Sequence, residues 1–294
     1  MSTPNAKLPM PFRPPPEPDG GELAPLLDEP FARVWDQPAA SQTADAVRGR
    51  LLERLAVTRD AEADMFTARR RRLPRHVLAE GVVAQVLYTA RAASPSGSAL
   101  RPGEPWRTRL IELAPGARLV PAQLGDAAQT QAAHREWLVL SGSLQLGDQM
   151  LSQRDYHVTP AGLASPVLAS AAGAVVFLRE SDLAARTGDL PTTVRDAEAG
   201  WPEYAPGIHR RVLWQRDGQA ALLYCAGPGA QVPQHTHGHD EECLMVQGEL
   251  FLDDLLLQPG DYQLAPAGTG HRITETDTGV VIYAHGDLDL KFVT

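Results

Sequence analysis

The chain has 294 residues, 43% of them hydrophobic and 21% charged, which is enough for one or two domains with buried cores. Twenty-five Gly and twenty-five Pro argue against a mostly helical fold, and two cysteines can neither staple a secreted scaffold nor form a four-thiolate zinc site. The net charge of −9 is uneven: from Gln219 onward only Arg272 and Lys291 stand against eleven acids, so nucleic acid is not an expected partner.

Residues 1–40 are rich in Pro and Glu without apolar periodicity and read as a disordered arm. Their opening run has no apolar core of the kind a secretory signal needs, and no stretch approaches the roughly 20 apolar residues that cross a bilayer. A cytoplasmic protein without a membrane partner is therefore expected. Residues 41–75 read as a helical segment, with Val47, Leu51, Leu52 and Leu55 at helical spacing after a capping Ser41 or Thr43. The basic run Arg69–Arg72 within it reads as a solvated face.

After Pro74 the texture changes to short apolar runs broken by Gly and Pro, the pattern of many short strands. These strands repeat. Residues 135–178, moved by 106 positions, lie on 241–284 without a gap, with 14 of 44 pairs identical. Upstream, at a different offset, GVVAQVLY at 81–88 matches GIHRRVLW at 207–214. The body is thus a tandem duplication of a β module: a first module over 76–185, a linker over 186–204 and a second module over 205–294.

The second copy carries the chemistry. In PGAQVPQHTHGHDEECLMVQG, strand alternation puts His235 and His237 on one face, and Glu241 follows from the next strand. GDYQLAPAGTGH supplies a third imidazole, His271. Three imidazoles and a carboxylate make a divalent-metal site. Glu242 competes with Glu241 for the carboxylate role, since a one-residue slip exchanges them. His239 reads as a solvent-facing residue after Gly238, and His76, His157, His209 and His285 as surface or satisfied histidines. In the first copy Arg135 falls opposite Glu241 and Ser165 opposite His271, and the His pair is missing, so that copy reads as structural. Should Glu241 point inward, Cys243 and Met245 do so too, and oxidation of Cys243 becomes a route to loosening the site.

These paired blocks resemble the motifs of the cupin superfamily, which implies an all-β fold of two tandem jelly-roll (double-stranded β-helix) barrels behind a short N-terminal helix. The resemblance places the family's metal ligands on His235, His237, Glu241 and His271. More closely, EECLMVQGELFLDDLLLQPGDYQLAPAGTGH looks like the C-terminal cupin of ChrR-type zinc-dependent anti-sigma regulators. Their N-terminal zinc domain, which needs a Cys-x-x-Cys pair, has no counterpart here: the cysteines are Cys225 and Cys243. The resemblance implies one divalent ion, with zinc first and iron, nickel or manganese as alternatives. It also implies a sensor acting through a sigma factor or another regulatory protein, a small-molecule ligand, and a homodimer as one assembly. The alternative is a metal-dependent cupin enzyme, dioxygenase-like, acting on a small substrate.

Overall fold

The computed structural model describes residues 41–62, 65–90, 105–125 and 133–293. The expected arm, 1–40, lies outside them. Two compact units divide the chain, Met1–Val57 and Thr58–Thr294. The described part of the first belongs to one helix, Ser41–Glu62, whose Val47, Leu51, Leu52 and Leu55 are exposed. Among the described residues no helix is long and apolar enough to cross a membrane.

The second unit is built from two sheets laid out on one plan. In the first module the strand order is Thr192–Val194, Tyr156–Thr159, His134–Leu146, Ala174–Ser181, Pro105–Leu113, Val82–Thr89, His76–Ala79. In the second it is Phe66–Ala68, Tyr262–Ala265, Glu241–Gly248, Val280–Asp287, Gln219–Ala226, Ile208–Arg216, Glu203–Ala205. Neighbours are antiparallel throughout. Smaller sheets close each module; in the second, one of them pairs His235 with His271.

The leading strand of each module joins the sheet of the other. Phe66–Ala68 precedes the first module yet pairs with Tyr262–Ala265, placing Ala68 opposite Tyr262. Thr192–Val194 precedes the second module yet pairs with Tyr156–Thr159, placing Val194 opposite Tyr156. Each exchanged strand is pinned the same way. Arg69 binds Asp261 at 2.8 Å and also donates to the Leu256 carbonyl, while the Arg70 amide donates to Asp261 at 2.9 Å. Arg195 binds Asp155 at 3.0 Å and also donates to the Met150 carbonyl, while the Asp196 amide donates to Asp155 at 2.8 Å. Three expectations are corrected here. The helical segment over 41–75 ends at Glu62 and gives way to this strand and a 3-10 turn at Arg70–Arg72. The basic run is no uniform solvated face, because Arg69 is the latch and Arg70 pairs with Glu112 at 2.7 Å. The stretch expected as a linker, 186–204, likewise contributes strands to both sheets.

Alternation along the central strands sorts side chains between two environments. One face of each sheet meets the other sheet in a shared core that includes Leu110, Leu138, Phe177, Leu223, Leu244 and Tyr283. The opposite faces line the two barrel interiors. At the shared core lies a buried charge cluster. Arg179 donates to Glu136 at 2.9 Å and, across the modules, to Glu242. Tyr262 donates to Glu242 at 2.7 Å; Tyr283 donates to Glu136 at 3.0 Å, and so does Tyr156. His285 Nε2 lies 3.4 Å from Glu136. Burial alone would raise the Glu136 carboxyl, but His285, Arg179 and His134 outweigh it and hold it well below the usual carboxylate range. His134, by contrast, is driven by burial down to about 4. His134 and His285 therefore flank Trp214 in the interface, and His285 is a buried histidine of this network.

Removing one member of such a cluster strands the others without a partner. Arg179→Ala is expected to lower the free energy of unfolding by about 3–5 kcal/mol in a urea titration of the whole chain. A change within about 0.5 kcal/mol, the range of an ordinary surface substitution, would show that the cluster does not join the modules.

Candidate metal centre in the second barrel

The strand Glu241–Gly248 decides which carboxylate faces which environment. Glu242 is fully buried in the interface and bonded to Arg179 and Tyr262. Its neighbours one position away, Glu241 and Cys243, line the interior of the second barrel. The choice left open by the sequence thus falls to Glu241.

His235, His237 and Glu241 each offer a ligand atom, and these atoms all lie within 4.8 Å of one another; among the described residues this is the group of metal-ligand type. The fourth expected residue, His271, is the cross-strand partner of His235. Its ring centroid lies 5.2 Å from that of His237 and 5.7 Å from that of His235, so it borders the group without joining the tight set. All three histidines are buried.

Each imidazole has a polar group near one of its ring nitrogens. His235 Nδ1 meets the Pro233 carbonyl at 3.0 Å, which leaves Nε2 as its other nitrogen. His237 Nδ1 lies 3.1 Å from Glu241, and its buried Nε2 has no hydrogen-bond partner. His271 Nδ1 lies 3.6 Å from Asp253, whose carboxylate accepts from the Arg272 amide at 2.9 Å and the Ile273 amide at 3.2 Å. Carboxylates placed this way behind an imidazole orient it and raise its basicity. Asp253 escaped the sequence reading because it sits in an ordinary turn, where left-handed backbone (φ 54°) suits an Asp without any special role. His239 binds Asp287, which also accepts from the Gly238 amide, so it fastens the loop between the ligand residues rather than swinging inward.

The electrostatics suit a cation. Burial, with repulsion from His271 and His235, lowers His237 to about 3, and burial pushes Glu241 up to about 7. Neutral imidazoles are the form that ligates. His237 Nε2 is buried without a hydrogen-bond partner, and His237 groups with His235 and Glu241, a donor set that fits a divalent ion. Cys243 and Met245 are buried on the inner side, as alternation required. Burial, helped by Glu241, raises the Cys243 thiol well above its usual value. It is kept as the protonated thiol, which is a poor nucleophile, and this weighs against the expected redox role.

The first barrel has a different interior. Arg135, opposite Glu241 in the repeat, is fully buried and donates to the Leu163 carbonyl at 2.7 Å; Ser165, opposite His271, is buried. Nearby Arg107 and Arg109 bind the buried Glu180 at 2.8 and 2.9 Å. A guanidinium thus stands in the first barrel at the position that carries Glu241 in the second.

Residues 190–289 match the family described as the ChrR cupin-like domain. The fold is that of a bicupin. Similar solved structures include a proposed dioxygenase from Nostoc punctiforme, 16% identical with a TM-score of 0.59, covering 79% of this chain and 85% of that one. The proposed glyoxylate-induced protein of Pseudomonas aeruginosa is 14% identical with a TM-score of 0.54, covering 71% of this chain and 81% of that one. A variant of the Bacillus subtilis oxalate decarboxylase OxdC is 17% identical with a TM-score of 0.52, covering 75% of this chain and 76% of that one. At these identities the likeness concerns the bicupin fold alone. No curated protein matches the sequence.

The two adjacent carboxylates of this bicupin should separate cleanly under mutation. Glu242→Gln is expected to lower the melting temperature while leaving the inner face intact. Glu241→Gln, which removes no interface bond, should leave the unfolding free energy of the metal-stripped protein within about 0.5 kcal/mol of wild type. The reverse ranking in calorimetric scans would show that the strand is turned the other way.

Proposed function

We propose that the second barrel holds one divalent metal ion on His235, His237, Glu241 and His271, and that this ion receives a small molecule within the barrel. The observation that carries the reading is the grouping of His235, His237 and Glu241, in which His237 Nε2 is buried without a hydrogen-bond partner and His235 and Glu241 border a cavity in the barrel. The donor set suits zinc first, and iron, nickel or manganese by the same chemistry. When bound, such an ion supplies a Lewis-acidic contact for an oxygen donor. The chain's own residues do the rest. Pro233 holds the His235 ring, Asp253 stands beside His271, Asp287 fastens the intervening loop, and apolar residues wall the cavity.

The reading extends to a regulatory role, in which occupancy of the second barrel is passed to a partner protein such as a sigma factor, by the resemblance of this module to the cupin of ChrR-type regulators. A second reading, a dioxygenase-like enzyme, is favoured by the cavity reaching His235, Glu241 and His271, which gives a substrate access to the ion.

Elemental analysis of the purified protein should find close to one metal per chain, and almost none in the His235→Ala, His237→Ala double variant. A ligand that binds only the folded state adds about 4 kcal/mol when present at a thousandfold excess over its Kd, so chelation should lower the melting temperature of wild type. Two ions per chain, or metal retained by the double variant, would overturn the proposal.

A further inference from the structure

The interiors of the two barrels differ at matched positions. In the first, Trp137 and Leu178 are cross-strand neighbours, fully buried in the barrel filling. The 106-residue step lands on Cys243 and Ala284, again cross-strand neighbours, which line the cavity of the second barrel. By the same step Leu168, fully buried in the first filling, becomes Thr274 on the cavity wall. Three large apolar side chains are thus replaced by smaller ones. The backbones that carry them are held alike: Gly142 and Gly248 occupy the same turn, with φ of 75° and 77°, where a Cβ would overlap the carbonyls of Gly173 and Gly279. Losing side-chain volume from a held frame leaves a hole.

That hole measures about 120 Å³ and is walled by apolar residues such as Ile208, Val232, Leu250 and Ile282, with His235, Glu241 and His271 at one side. An apolar cavity of about 150 Å³ stays dry and accepts benzene. No Lys or Arg is among the described residues that line it, so a second negative charge on a ligand would be buried without a partner. Three neutral imidazoles, one carboxylate and a divalent ion leave one net positive charge at the metal side, which favours a single anionic oxygen.

We propose that the second barrel is a binding chamber for a small, largely apolar molecule of about benzene size bearing one anionic oxygen donor, a monocarboxylate or phenolate, seated with that oxygen at the metal. This deepens the reading given above and rests on it for the polar end; the apolar wall stands independently of the ion.

The test uses the full chain, with metal content measured on every sample. Benzoate, 4-methylphenol and hexanoate are titrated calorimetrically and by melting temperature, beside oxalate as the polar dicarboxylate and toluene as the neutral probe. Metal-loaded wild type is expected to bind at least one of the three monoanions or phenols and to prefer it to oxalate. Ala284→Leu, which restores the first barrel's residue, should weaken that binding at least about tenfold with metal content unchanged. Thr274→Leu serves the same purpose should Ala284→Leu fail to fold. No binding by any of the three, equal binding of oxalate, or undiminished binding in the filled variants would overturn the proposal. Were wild type to carry no metal, the metal reading would fail by that measurement, and toluene would judge the chamber: a raised melting temperature that Ala284→Leu abolishes upholds the apolar wall, and no shift rejects it.

Discussion

The second barrel depends on where one strand places its paired carboxylates. Glu242 is claimed by Arg179 and Tyr262 in the fully buried interface between the sheets. Because successive side chains point to opposite faces, that claim sends Glu241 and Cys243 into the barrel. A register slip of one residue would exchange the two carboxylates and leave Arg179 a buried guanidinium with half its partners. The interface cluster therefore fixes the inner face of the candidate site from outside it, and the two modules cannot be considered separately.

Duplication kept the frame and changed the contents. Both modules retain the exchanged leading strand, the Arg–Asp latch that pins it and the interface Glu–Tyr pair, namely Glu136 with Tyr156 and Glu242 with Tyr262. The interface also retains one asymmetric position, where Arg179 in the first copy corresponds to His285 in the second, and both reach Glu136. Inside the barrels the copies part: the first is packed with Trp137 and leucines and carries Arg135 at the position matching Glu241, while the second holds the imidazoles and a cavity. The first barrel is filled where the second is hollow.

Much of this was legible in the sequence because it is local or repetitive. The duplication showed at a fixed offset, the strands showed as short apolar runs, and the spacing of His235, His237, Glu241 and His271 named residues that the structure brings to one place. What escaped depends on pairing across distance. The latch joins Arg69 to Asp261, 192 positions away, and no periodicity announces it, so a charge run read as solvated was partly structural. Glu242 and Glu241 are indistinguishable until the partner across the interface is known. His285 read as a scattered histidine because its neighbours Trp214 and Glu136 lie elsewhere in the chain. The replacement of Trp137 by Cys243 was present in the repeat alignment, but it means a cavity only once both positions are known to face inward.

The most direct test of the account is a crystal structure of the metal-loaded protein with diffraction data collected at the metal's absorption edge. The account predicts one anomalous peak per chain inside the second barrel, about 2.0–2.2 Å from nitrogens of His235, His237 and His271 and from a Glu241 oxygen. It also predicts Glu242 on Arg179 and no peak near Arg135 in the first barrel. A peak bound by Glu242, or one within the first barrel, would contradict it.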